Sequence, residues 1–195
     1  MLLEGVILLD TMNLSPSINK TTKQDEEMVH FLQQQHSLIS QDDLFTRLQN
    51  AKYDPVFWSS ISLQDALEYD FKVFQQGNCV IGWSAVLTSL ASIMKENESE
   101  ILSTFCKKKS LDGLILSSVV LEKNNNSIRR EFAMKLSPTT SRLNDACIQK
   151  LKETLCKNYQ CQYQNEQETI LYTYTNISRK ALAPVLMKLL ESIVC

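Results

Sequence analysis

The stretch from Tyr69 to Val86 constrains the fold more than any other. Phe71-Lys72-Val73-Phe74 and Cys79-Val80-Ile81-Gly82-Trp83-Ser84-Ala85-Val86 are rich in β-branched and aromatic residues, with Gln75-Gln76-Gly77-Asn78 between them. Glycine and asparagine tolerate the backbone of a tight turn, so the two runs read as strands joined at Gly77-Asn78. Further on, Leu111–Leu121 has the make-up of a buried strand, Asn124–Ser127 of a turn, and Ile128–Leu136 alternates as a second strand does. Leu87–Lys109 lies between the two strand pairs and is helical, though not continuous, with Lys107, Lys108 and Lys109 suited to a helix C-terminus. Strands paired by tight turns and interleaved with covering helices predict an α/β class from about residue 40 onward, a mixed β-sheet covered by helices.

The flanks are helical where they have a period. Met28, Val29, Phe31 and Leu32 fit a helix over residues 24–34, which Thr21, Thr22 or Asp25 could cap. Leu44, Phe45 and Leu48 fit another over 41–50, Asp54-Pro55 breaks that pattern, and Ser62 can cap a short helix carrying Leu63, Ala66 and Leu67. Thr139–Lys157 reads as a helix, Gln160–Gln164 and Thr169–Thr175 as paired strands, and a last helix opens near Pro184. Leu2–Leu9 is an almost unbroken apolar run that should be buried, but eight residues do not distinguish helix from strand. A buried element at residue 2 suggests that the chain starts inside a larger fold.

Composition excludes several classes. The chain is 44% hydrophobic and 22% charged, enough for a sizeable core, and its net charge of −2 argues against a nucleic-acid binder. No run is long enough to span a membrane, and the start lacks the basic region and cleavage site of a signal peptide. The six cysteines, Cys79, Cys106, Cys147, Cys156, Cys161 and Cys195, form no Cys-x-x-Cys, so a zinc site is not expected. They read as reduced thiols in a cytosolic protein. With four glycines there is no phosphate-binding P-loop, and His30 and His36 offer no catalytic triad.

Four residues stand out as candidate site residues. Asp10 ends an apolar element, where a carboxylate caps a backbone end, pairs with a cation or binds a metal; alone, capping or pairing is the commoner outcome. Lys72 alternates against Phe71 and Val73, and points either into solvent from an edge strand or into a cleft that holds an anion. Arg179 and Lys180 follow a β-like run and precede a helix, a place where a planar fork of donors and a compact charge could clamp phosphate oxygens. Most such pairs are solvated surface charge.

In order along the chain, Ile7-Leu8-Leu9-Asp10-Thr11, Thr21-Thr22-x-x-Asp25, Asp70-Phe71-Lys72-Val73-Phe74 and Ser178-Arg179-Lys180 resemble the DHH phosphoesterase superfamily. The branch is that of family II inorganic pyrophosphatases, exopolyphosphatases and animal prune proteins. Leu8-Leu9-Asp10-Thr11-Met12-Asn13-Leu14 and the stretch from Asp42 to Asp54 are most similar to prune. The resemblance implies that residues 1–25 end a DHH domain and that 26–195 form the DHH-associated C-terminal domain. It implies a hydrolase of phosphoanhydrides with Mn2+ or Mg2+ as cofactor, Asp10 as a metal ligand, and Lys72, Arg179 and Lys180 as the cations that meet pyrophosphate or short polyphosphate. The chain departs from the family in lacking Asp-His-His and an N-terminal Asp-x-Asp, so Asp10 alone does not make a two-metal centre. It is expected to be inactive alone. The alternative is a non-catalytic module that binds protein partners, with neither nucleic acid nor membrane among its targets.

Overall fold

The computed structural model describes residues 2–36, 38–94, 98–122, 127–136, 149–150, 153, 157, 162–163, 171–174 and 178–194. They fall into two compact units, Met1–Asp54 and Pro55–Cys195.

The first unit is helical: α1 (Leu2–Thr11), a 3-10 turn (Pro16–Ile18), α2 (Lys23–His36) and α3 (Gln41–Lys52). The apolar run that opens the chain is a helix, and only part of it is buried. A helical period turns Gly5 and Leu8 toward α2 and α3, while Leu2 (88% exposed), Leu3 (56%) and Val6 (59%) face out. Leu8, Val29 and Leu44 form the buried centre, with Ile7, Leu14, Ile39, Phe45 and Leu48 packed around it. The α1–α3 approach is close at Gly5, where a Cβ would lie 2.7 Å from Leu48 Cδ1. Thus α3, grouped with the layered domain on its sequence, packs in the helical unit.

Caps fix the helix starts. Thr22 and Asp25 exchange hydrogen bonds at the head of α2: Asp25 Oδ2 accepts from the Thr22 N–H at 2.9 Å and from its hydroxyl at 2.8 Å, while the Asp25 N–H donates to Thr22 Oγ1 at 3.2 Å. The bonds from the Thr22 backbone and hydroxyl hold the Asp25 carboxyl below the usual carboxylate range. Ser40 Oγ accepts from the Asp43 N–H at 3.1 Å to open α3.

The second unit is the predicted layered α/β fold. It runs α4 (Pro55–Ser60), α5 (Leu63–Tyr69), β1 (Lys72–Gln76), β2 (Cys79–Val86), α6 (Leu90–Ile93), α7 (Glu98–Lys109), β3 (Gly113–Glu122), β4 (Ser127–Leu136), β5 (Gln162–Tyr163), β6 (Leu171–Tyr174) and α8 (Arg179–Val194). The strands form one sheet in the order β1-β2-β3-β4-β6-β5, mixed because β2 and β3 are parallel and the other neighbours antiparallel. The parallel pair requires a crossover, supplied by α6 and α7. The β1–β2 turn lies at Gly77, whose φ of +56° is costly for residues with a Cβ.

Alternation along the strands sorts side chains onto two faces. Val86, Leu114, Leu116 and Ala133 face α4–α7 and meet Trp58, Leu67, Leu90, Phe105 and Leu111. Cys79, Ile81, Trp83, Ile115, Phe132 and Met134 face α8 and meet Leu182, Ala183, Leu186 and Leu190. The start of α8 corrects the expectation that Pro184 opens this helix: Pro184 lies inside it. Leu182, Ala183, Leu186 and Leu190 keep one helical phase through the proline, so their burial extends the helix back to Arg179. Ser178 O accepts the first amides, from Ala181 at 3.0 Å and Leu182 at 2.9 Å.

Cys79 and Cys106 are buried thiols outside any disulfide; the other four cysteines lie outside the described residues. Burial pushes the Cys106 thiol up to about 11 against the opposing charge of Lys135, so it stays a protonated, unreactive thiol at neutral pH. Most of the helix expected over 139–157 lies outside the described residues, although Gln149, Lys150, Glu153 and Lys157 are helical. The expected pairing of the last two strands holds for its described part, where Gln162 faces Tyr172 and Tyr163 faces Leu171. No helix among the described residues is long and apolar enough to cross a membrane.

Candidate functional site

The site is built where α5, β1 and α8 meet. Helix α5 ends at Tyr69, and its C-cap residue Asp70 has φ −133° and ψ 62°, a non-helical turn into β1. Lys72 is the first strand residue and pairs across the hairpin with Trp83. Directly opposed residues share a face, and Trp83 belongs to the cluster beneath α8, so Lys72 rises on the face that α8 covers. It is exposed.

Arg179 is the first residue of α8, and its guanidinium reaches back to Asp70. Nη2 donates to both carboxylate oxygens, at 2.9 and 3.2 Å, and Nη1 donates to the Asp70 carbonyl at 3.2 Å. The Arg179 side chain is 20% exposed and that of Asp70 43%. This contact ties the head of α8 to the head of β1 and so gathers Lys72, Arg179 and the exposed Lys180 at one end of the second unit. Among the described residues, three cations and one carboxylate leave an excess of positive charge, and the positive end of the α8 dipole adds to it. Chemically, such a place neutralises an anion.

Phe71, between Asp70 and Lys72, is the packing anchor of the site. Its ring lies edge-on to Phe105 at 5.3 Å between centroids, and Lys109 Nζ sits 5.3 Å from its centre while pairing with Glu68 at 3.0 Å. Gly82 leaves the room for this ring: a Cβ there would lie 2.8 Å from Phe71 Cε2, 2.6 Å from Leu111 Cδ1 and 3.2 Å from Leu114 Cδ1. Gly82→Ala is therefore expected to destabilise the protein by about 1–3 kcal/mol through overpacking. A lower urea midpoint at unchanged slope is the expected result, and an unshifted midpoint would contradict the tight fit.

Asp10 ends α1 in the first unit. It is exposed and paired with Lys20, whose Nζ lies 3.2 Å from Asp10 Oδ1 and 3.4 Å from its carbonyl oxygen. Of the roles open to it, pairing with a cation is the one it fills here. Among the described residues no three His, Cys, Asp or Glu side chains gather as a metal site would need. The described donors thus do not fit a divalent-cation centre.

The role of Asp70 is not legible in the motif that carries it, because its partner is 109 residues away. Two buried carboxylates that hold backbone amides are not legible either: Asp112, which accepts from the Val80 N–H at 2.8 Å, and Glu131, which accepts from the Leu90 N–H at 2.7 Å.

Residues 46–189 match the model of the DHHA2 domain. The chain is 28% identical over 199 residues to the rat (Rattus norvegicus) exopolyphosphatase PRUNE1, covering 98% of this chain and 42% of that protein. It is 29% identical over 131 residues to the human (Homo sapiens) exopolyphosphatase PRUNE1, covering 66% and 28% respectively. The chain therefore spans less than half the length of these relatives. A Methanococcus jannaschii protein described as a family II inorganic pyrophosphatase shares the fold, with a TM-score of 0.57 at 16% identity over 94% of this chain and 52% of that one.

Proposed function

Because the chain belongs to the DHHA2 domain family, on the prune-like side of the DHH superfamily, we propose that its second unit is a phosphate-binding part of a phosphoanhydride hydrolase. The substrate class is pyrophosphate or short polyphosphate. Arg179 offers donors to phosphate oxygens, and Lys72 and Lys180 supply charge that offsets the anion of the departing phosphate. Residues 1–25 are proposed as the end of a DHH domain and 26–195 as the substrate-closing domain. The divalent cation that the resemblance implies, Mn2+ or Mg2+, finds no centre among the described residues, and Asp10 would give it one carboxylate only. This chain alone is proposed to bind rather than to hydrolyse, as a cytoplasmic protein.

One observation carries the reading. The head of α8 and the head of β1 are joined by the Arg179–Asp70 contact, which gathers cations separated by more than a hundred residues. Calorimetric titration with pyrophosphate tests it. The double change Arg179→Ala, Lys180→Ala is expected to weaken binding about tenfold to hundredfold, the worth of charge-assisted hydrogen bonds. Unchanged affinity would remove the role given to both residues.

A second reading, a protein-interaction module derived from a prune-type protein, rests on the first unit. Leu2, Leu3, Val6 and Phe31 are large apolar side chains left exposed there. Tight manganese binding by the chain alone would count against it.

A further inference from the structure

We propose that Asp70 is a positioning residue, which acts on phosphate by fixing the Arg179 guanidinium; the inference rests on the phosphate-binding reading of Arg179. Arginine carries five N–H donors on a long, rotatable stem. Here Nη1 and Nη2 are both taken by Asp70, through its carbonyl and its two carboxylate oxygens. The Nε–H takes no part in that contact. The two halves of Asp70 hold different edges of the planar group: the carboxylate can swing about χ1, but the carbonyl is fixed by the turn that ends α5. The guanidinium plane is thus tied to backbone, and its remaining N–H groups are held ready at the head of α8 beside Lys180.

A carboxylate beside an anion site has two opposing effects, and their sizes decide between them. Removing Asp70 raises the local charge by one unit and, at a half-exposed site in ordinary salt, should tighten anion binding only about two- to fivefold. It also releases the arginine rotamers, and re-ordering them on each binding event weakens affinity by about 30-fold. Ordering wins, so the inference predicts that deleting a negative charge makes an anion bind worse. A purely electrostatic view predicts the opposite sign.

The experiment is pyrophosphate titration of the full chain and its Asp70→Ala, Asp70→Asn, Arg179→Ala and Asp70→Ala/Arg179→Ala variants, with the Arg179 Nε–Hε resonance recorded by NMR. Asp70→Ala is expected to weaken binding about 6- to 15-fold, the roughly 30-fold ordering loss less the two- to fivefold electrostatic gain, and to average the Arg179 resonance into the free-arginine envelope. Asp70→Asn keeps the shape, one side-chain acceptor and the carbonyl, so it should fall between the wild type and alanine. The double variant should bind no worse than Arg179→Ala alone, because the favourable effect of Asp70 passes through that side chain and only its charge repulsion remains once the arginine is gone. Tighter binding by Asp70→Asn or Asp70→Ala, or a further loss in the double variant, overturns the positioning role and leaves the phosphate reading standing. If Arg179→Ala binds pyrophosphate as well as the wild type, or the wild type does not bind it, the phosphate reading fails and the inference with it.

Discussion

Replacing Trp83 by alanine is expected to cost about 3–5 kcal/mol of folding stability, the largest loss for any single change considered, because it empties the middle of the α8 face. Trp83 is fully buried. Its ring lies edge-on to Phe74 at 5.9 Å and to Phe132 at 6.0 Å, so it joins β1 to β4 across β2 and β3. Its Nε1–H donates to Ser117 Oγ at 3.0 Å, and Ser117 in turn donates to the Ser84 carbonyl at 3.1 Å. Alanine removes the ring and leaves a cavity bounded by a hydroxyl that has lost its donor. Phenylalanine keeps most of the volume and loses the N–H, so Trp83→Phe should cost only about 1–2 kcal/mol. Urea unfolding of both variants compares the contributions: the gap between them measures packing, and the Phe loss combines the hydrogen bond with the smaller ring. A loss below about 1 kcal/mol for Trp83→Ala would mean that the α8 face is not a core in the sense argued here.

The effect should reach the site as well. Trp83 is the cross-strand partner of Lys72, and the cluster it centres is what α8 packs on. Domains of this size are only about 5–15 kcal/mol stable, so Trp83→Ala should leave a substantial unfolded fraction in mild denaturant. Trp83→Phe should fold and keep its pyrophosphate affinity, since it changes no cation.

How much of this was readable beforehand depended on how local each cause was. The β1–β2 hairpin was legible because period-two alternation and a Gly-Asn turn are both encoded within a few residues, and Gly77 does take the positive φ the turn needs. The break between α6 and α7 and the cap at Ser62 were legible for the same reason. The apolar run at Leu2–Leu9 was not, because a short hydrophobic run has no period, and only packing against α3 decides which side is buried. The head of α8 was misplaced because proline is a strong local signal, overruled by the burial of Leu182 and Ala183 on its N-terminal side. Of the site, sequence supplied the cations and the motif that carries Asp70. It could not supply the Asp70–Arg179 contact, which exists only once the sheet has brought α5 and α8 to the same end. Asp10 shows the converse: it was singled out for what a carboxylate could do, and its neighbour Lys20, ten residues on, was already within reach.

Glu131→Ala is expected to be the next most damaging change, at about 2–4 kcal/mol. Glu131 is buried on β4, between Ser118 of β3 and Tyr174 of β6 in the ladder, and its side chain faces α4–α7. There it accepts the Leu90 N–H at 2.7 Å and pairs with Arg129 Nη1. The amide belongs to the first residue of α6, a helix of four residues. A helix that short has no stability of its own, since its nucleation cost is spread over too few hydrogen bonds. Its place is set from outside, by Leu90 and Ile93 in the core and by the carboxylate that holds its first amide. Alanine leaves that N–H buried without an acceptor and takes a partner from Arg129, whereas Glu131→Gln retains an oxygen for the amide and should lose only about 1 kcal/mol. Hydrogen exchange locates the effect. In Glu131→Ala the amides of Leu90, Ser92 and Met94 should exchange faster, relative to global unfolding, than those of β2 and β3. Equal acceleration across the sheet would mean that Glu131 supports the ladder rather than the helix. Pyrophosphate affinity should be unchanged under native conditions, because Glu131 lies on the sheet face opposite α8 and the Lys72 side chain.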